Sequence, residues 1–133
     1  MESINATGFA AALATFLGVW LGHVMVRKVE AQVSRIGPAM AVCVLLGLAC
    51  EAGALLSRDN ALSGAMGILG ITLLWDALEF VRQEKRVRIG HAPANPANPR
   101  HARILAGHPQ ATTVDWLDRE PRGQAYTPGE LQA

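Results

Sequence analysis

The chain has 133 residues, half of them hydrophobic, with a mean hydropathy of +0.20 and a formal net charge of +1. That length bounds it to one small domain, and so small a net charge gives no indication of wholesale nucleic-acid binding through a basic surface. The average hides a division: three long apolar segments lie between residues 6 and 81, and the remainder is rich in Pro, Arg, His and Asp.

Residues 1–5 contain Glu2 and no Lys or Arg, so the basic leader of a secretory signal is missing and no cleaved segment is expected. Residues 6–26 then run without a charged side chain, apart from any charge on His23. At 1.5 Å per residue this stretch of about 21 residues matches the hydrocarbon core of a bilayer and predicts span one. Ala6, Ala10, Ala14, Gly18 and Gly22 recur at every fourth position, a small-residue stripe along which another helix can approach. Residues 27–37 are charged but carry Val29, Val33 and Ile36 at helical spacing, which suits an amphipathic continuation at the membrane interface.

Pro38 suits the first turn of a second helix, and span two is expected over 38–57. Its Leu and Val residues each favour insertion by about 0.3 to 0.6 kcal/mol, whereas Glu51 deep in the span opposes it by about 2.5 to 3.5, so span two depends on its neighbours. Cys43 and Cys50 share a face of this helix at a spacing that forbids a disulfide, and they read as small buried hydrophobes. Arg58, Asp59 and Asn60 leave room only for an antiparallel turn into span three, over 61–81. Gly64, Gly67 and Gly70 give span three a second close-packing surface, so it is expected to be the helix most embraced by the others.

The expected fold is an all-α membrane protein: a three-span domain over 1–88 and a Pro-rich, largely irregular tail over 89–133. Pro93, Pro96, Pro99, Pro109, Pro121 and Pro128 exclude a long regular helix there. Residues 113–119, TVDWLDR, offer only a short turn or a partner-binding patch around Trp116 and Leu117, and His91, His101 and His108 read as solvated. Arg27, Lys28, Arg35, Arg82, Lys85, Arg86 and Arg88 fall on one side of the bilayer and Arg58 alone on the other. The positive-inside rule then places the N-terminus outside and the tail in the cytoplasm of a cell with an inner membrane. Arg82, Lys85, Arg86 and Arg88 serve as a topogenic signal or hold anionic headgroups.

Ionisable groups inside a bilayer mark function by default. Thr72, Asp76 and Glu79 lie on one face of span three, and His23 sits at a similar depth of span one, within reach of Asp76 or Glu79. This leaves open an interhelical clamp, a proton or ion path, a binding site on a larger complex, or Glu79 snorkelling beside Arg82. Glu51 stands roughly 20 Å from the cytoplasmic end, too far from His23, and is expected to meet Arg58, Ser63 or Thr7. No phosphate loop, metal pair or activated nucleophile is present in the sequence, so no enzyme, metal or cofactor is expected. Two functions fit: a non-catalytic accessory or scaffold subunit packing against partner helices or a second copy, and an oligomeric transporter or channel for protons or cations.

The run Gly67, Leu74, Trp75, Glu79, followed by Gln83, Lys85, Arg86, Val87, Gly90, Pro93, Asn95 and Pro96, resembles a family of small bacterial membrane proteins. It is a domain of unknown function, number four-four-nine-one. His23 and Glu30 stand where that family has a His and a Glu. The resemblance covers residues 8–100 and implies a membrane protein without naming a reaction. His91 and Ala92 depart from it where the family tends to an aromatic residue.

Overall fold

The structure is a computed structural model that describes residues 5–118. Among the described residues it contains four α-helices and no strand: α1 (Ala6–Gln32), α2 (Ile36–Leu56), α3 (Asn60–Arg88) and α4 (Pro99–Gly107). The first three are long and apolar enough to cross a membrane. At most 17 % of the apolar window of each is buried, so most of their Leu, Val, Phe and Trp surface faces outward, as suits helices of membrane-spanning length.

Three of the four helices begin where a side chain can satisfy their first amide groups. Asn5 Oδ1 accepts from Gly8 N at 2.9 Å, Asp59 Oδ1 from Leu62 N at 2.7 Å, and Asn98 Oδ1 from Arg100 N at 2.9 Å. In α4 the residue after that cap is Pro99, whose missing N–H costs nothing in a first turn. Helix α2 starts without a side-chain cap, and Pro38 lies in its first turn as the sequence suggests.

Helix α3 packs along both α1 and α2, which scarcely meet each other. It is thus the embraced helix. Val26 of α1, Cys43 of α2, and Ala77 and Phe80 of α3 form the core at the basic end. Val29 and Ile36 pack against that core, so residues 27–32 simply extend α1 through Gln32 and do not form a separate interfacial segment.

The expectation of extended chain after residue 88 is corrected by residues 89–118, which fold back onto the basic end of the bundle. Val87, Ala92, Ala94 and Ile104 form a second buried cluster, flanked by Leu105 and Ala111. Burying a Val or Ile side chain outside the apolar spans stabilises by about 1.5 to 3 kcal/mol, enough to hold a short helix that proline bounds only at its first turn. The reversal out of α3 is made at Gly90, with φ +73°, a left-handed conformation that a Cβ opposes. Trp116 is anchored within the chain, its Nε1 donating to Gly90 O at 2.9 Å. Arg119 and the later prolines lie outside the described residues.

Candidate functional site

Two polar constellations stand out, one within the apolar bundle and one where the tail docks. In the bundle, each of two carboxylates rests on a glycine of a neighbouring helix. A Cβ placed on Gly22 of α1 would lie 2.6 Å from an Asp76 carboxylate oxygen of α3, and a Cβ on Gly70 of α3 would lie 2.6 Å from Oε1 of Glu51 in α2. The glycines are there because only hydrogen leaves room for the acid. Asp76 is 6 % exposed and has no hydrogen bond or ion pair among the described residues. It lines a cleft of about 420 Å³ between α1 and α2, whose walls include Gly18, Met25, Cys50, Leu69 and Thr72.

His23 lies within electrostatic range of Asp76 but is exposed and forms no hydrogen bond with it or with Glu79, so no clamp closes between them. Thr72 Oγ1 instead donates to Ile68 O within its own helix at 2.7 Å. Glu51 meets none of its expected partners: Ser63 Oγ donates to Ala54 O at 2.8 Å, and neither Arg58 nor Thr7 bonds to it. Glu79 is buried and paired with two cations, Arg82 Nη1 at 2.8 Å and Arg86 Nη2 at 3.0 Å. Arg82 also lies over the Trp75 ring, 4.5 Å from its centroid.

The small-residue stripes are filled from within. Gly18 meets Leu69 and Thr72, Gly67 meets Ala54, and Gly47 meets Leu74 and the backbone of Gly70; Gly64 faces open space. Of the basic residues, Arg88 pairs with Glu84 and Arg27 lies 3.8 Å from Asp115. Lys28, Arg35 and Lys85 are exposed and form no ion pair among the described residues.

The second constellation is built by the end of α1 and the tail. A helix leaves its last carbonyls without partners, and α1 has no basic residue in its last turn. The tail supplies the donors. Asn95 Nδ2 and Asn98 Nδ2 both donate to Ala31 O at 3.0 Å, Asn98 Nδ2 also donates to Val33 O at 3.0 Å, and Arg100 Nη2 donates to Glu30 O. The Asn-Pro-x-Asn-Pro run is therefore a clamp on the C-terminus of α1. Each asparagine works from both ends, because Asn95 Oδ1 accepts from Ala97 N while Asn98 Oδ1 caps α4.

Beneath the clamp, Glu30 is 1 % and His101 0 % exposed. Glu30 Oε1 receives Arg100 Nη2 at 2.8 Å and His101 Nε2 at 3.0 Å. His101 Nδ1 accepts the Asn95 N–H at 2.9 Å, which fixes the tautomer: the ring proton sits on Nε2 and is donated to Glu30. Arg100 bridges on to Glu84 at 2.7 Å. Glu30 Oε2 is fully enclosed and has no hydrogen-bond partner.

Sequence reasoning missed this second group as a site. His101, read as solvated, is among the most buried residues, whereas His91 is exposed as expected. The available signal was Asn98-Pro99, a cap followed by a first-turn proline, which places Arg100 and His101 at a helix start.

Among the described residues no group of His, Cys, Asp or Glu is arranged to hold a metal ion. No curated protein and no solved structure matches the chain. The model of the family described as Domain of unknown function (DUF4491) matches residues 5–98, the whole apolar bundle and the tail up to the Asn98 clamp, and the chain belongs to that family.

Proposed function

We propose that this is a non-catalytic, multi-pass protein of the inner (cell) membrane, with its N-terminus outside and its tail cytoplasmic, that carries protons or cations past Asp76 and Glu51 as an oligomer. The orientation is supported by the seven basic residues at the tail end of the bundle against Arg58 at the other. The ion path rests on one observation: Asp76, within an apolar span, has no hydrogen bond or ion pair among the described residues and lines a cleft between helices. Glu51, seated on Gly70, lies about six residues of rise, roughly 9 Å, farther from the basic end, on the other face of α3.

The accessory-subunit reading drew on the glycine stripes as docking faces. Gly18, Gly22, Gly67 and Gly70 already receive side chains of the chain's own helices, and of the packing glycines Gly64 stays open to a partner. The test is proton or cation flux into liposomes containing the purified full chain, driven by a potassium-valinomycin potential. Flux above that of protein-free liposomes, reduced by Asp76→Asn and by Glu51→Gln, is expected. Flux equal to that of empty liposomes overturns the proposal.

A further inference from the structure

A pocket of about 460 Å³ opens where α1 leaves the apolar zone, walled by Val24, Arg27, Lys28 and Glu30 of α1, Gln83 of α3 and Asn95 of the tail. We propose that it binds the headgroup of an aminophospholipid, phosphate against Arg27 and Lys28 and ammonium against Glu30. The inference rests on the membrane placement proposed above and is independent of the ion path.

Order along α1 carries the argument. Val24, Arg27 and Glu30 follow at three-residue intervals, each about 4.5 Å farther toward the basic end, so the wall reads apolar, cationic, anionic as it leaves the bilayer. A phosphoethanolamine headgroup reads in the complementary order: acyl ester, phosphate anion, then a primary ammonium on a two-carbon bridge of similar length. Of the groups facing the phosphate, Arg27 lies 3.8 Å from Asp115, and Lys28 and Gln83 are open to it. Lys28 is exposed and unpaired among the described residues, and Gln83, whose Oε1 accepts from Arg86, has no acceptor there for its amide N–H groups.

At the far wall Glu30 shares Arg100 with Glu84, and its Oε2 lacks any donor. An ammonium N–H is the chemistry that this oxygen is short of. A phosphatidylglycerol headgroup brings only hydroxyls to it, and the trimethylammonium of phosphatidylcholine brings no N–H at all. A second, smaller pocket shares Arg27, Gln83 and Pro93 with the first and carries Trp116 and Leu117, which are 43 % and 59 % exposed. A tryptophan beside this pocket suits a membrane interface, where indole rings are enriched.

The full chain in a nonionic detergent, titrated with phosphatidylethanolamine, phosphatidylglycerol and phosphatidylcholine of one acyl composition, is read by native mass spectrometry. One phosphatidylethanolamine is expected to stay bound, about tenfold more tightly than phosphatidylcholine, a ratio typical of one charge-assisted hydrogen bond. Glu30→Gln should bring phosphatidylethanolamine down to the level of phosphatidylglycerol. Lys28→Glu, at an exposed and unpaired position, should weaken both by about tenfold while leaving helicity unchanged; it decides the matter if Glu30→Gln does not fold. Equal retention of all three lipids, or no effect of Lys28→Glu, overturns the proposal. Displacement by free phosphoethanolamine overturns the lipid source. Flotation of the same preparations with vesicles separates these outcomes from failure of the membrane placement, which would leave the wild-type chain at the bottom of the gradient.

Discussion

Replacing Asn98 by Asp tests whether the tail is a structural cap on α1. The side chain is 3 % exposed, and the two residues have nearly the same shape. The substitution keeps the oxygen that accepts Arg100 N and so preserves the N-cap of α4. It removes the amide that donates to Ala31 O and Val33 O. Ala31 O retains Asn95 Nδ2, but Val33 O is left with only a 3.4 Å contact to Arg100 Nε. Two lost hydrogen bonds at about 1 kcal/mol each, and a carboxylate oxygen turned toward two carbonyls, give roughly 3 kcal/mol against docking. That is about a hundredfold in the opening equilibrium at 1.4 kcal/mol per decade. Hydrogen exchange of a peptide covering residues 94–107, in micelles of the full chain, should accelerate by that factor, with peptides of α3 unchanged. Asn98→Ser, which caps without donating to both carbonyls, should fall about tenfold short of wild type. Exchange in Asn98→Asp equal to wild type would refute the clamp.

Other substitutions probe separate contacts. Gly22→Ala puts a methyl group 2.6 Å from an Asp76 oxygen and should lower stability in detergent by about 1 to 3 kcal/mol; adding Asp76→Ala should restore much of the melting temperature. Arg100→Met leaves Glu30 and Glu84 without their shared cation and should cost about 3 to 5 kcal/mol, read as faster tryptic cleavage at Arg103 than in the unaltered chain. Gly90→Ala imposes left-handed backbone on an L residue, about 1 to 2 kcal/mol, and drives a Cβ into Gln110 O. Because Trp116 bonds Gly90 O, its fluorescence should shift to the red as that loop releases.

The apolar helices were legible because a bilayer demands about 20 uninterrupted apolar residues, a signal carried locally by 6–26, 38–57 and 61–81. The central place of α3 followed from its own glycines together with the short turn at Asp59. What escaped was contact across 65 to 71 residues of sequence, as from Asn98 to Val33 and from His101 to Glu30. Two of the prolines that argued against structure after residue 88 instead mark where it starts: Pro96 and Pro99 each follow an asparagine whose amide reaches α1. Glycine spacing pointed to close approach, which Gly18, Gly22 and Gly70 receive and Gly64 does not, and it did not reveal the occupants. At Gly22 and Gly70 the space is filled by a carboxylate and not by another backbone, and no spacing rule in one helix reveals an acid in the next.

The position of Glu30 explains why the tail cannot be a separate unit from the bundle. An acid in the last turn of a helix meets the negative end of the macrodipole, and α1 offers it no cation of its own. Unbonded carbonyls of the same turn would have to find water at the edge of a bilayer. Arg100 answers both needs at once, donating to Glu30 O and pairing with Glu30 Oε1, while His101 holds the same oxygen from a position fixed by Asn95. A boundary at residue 88 therefore cuts through one polar network. Arg100 and His101 lie just past the matched residues 5–98, yet they complete a site whose Glu30, Glu84 and Asn95 lie inside them. The working unit of this chain accordingly extends at least through α4.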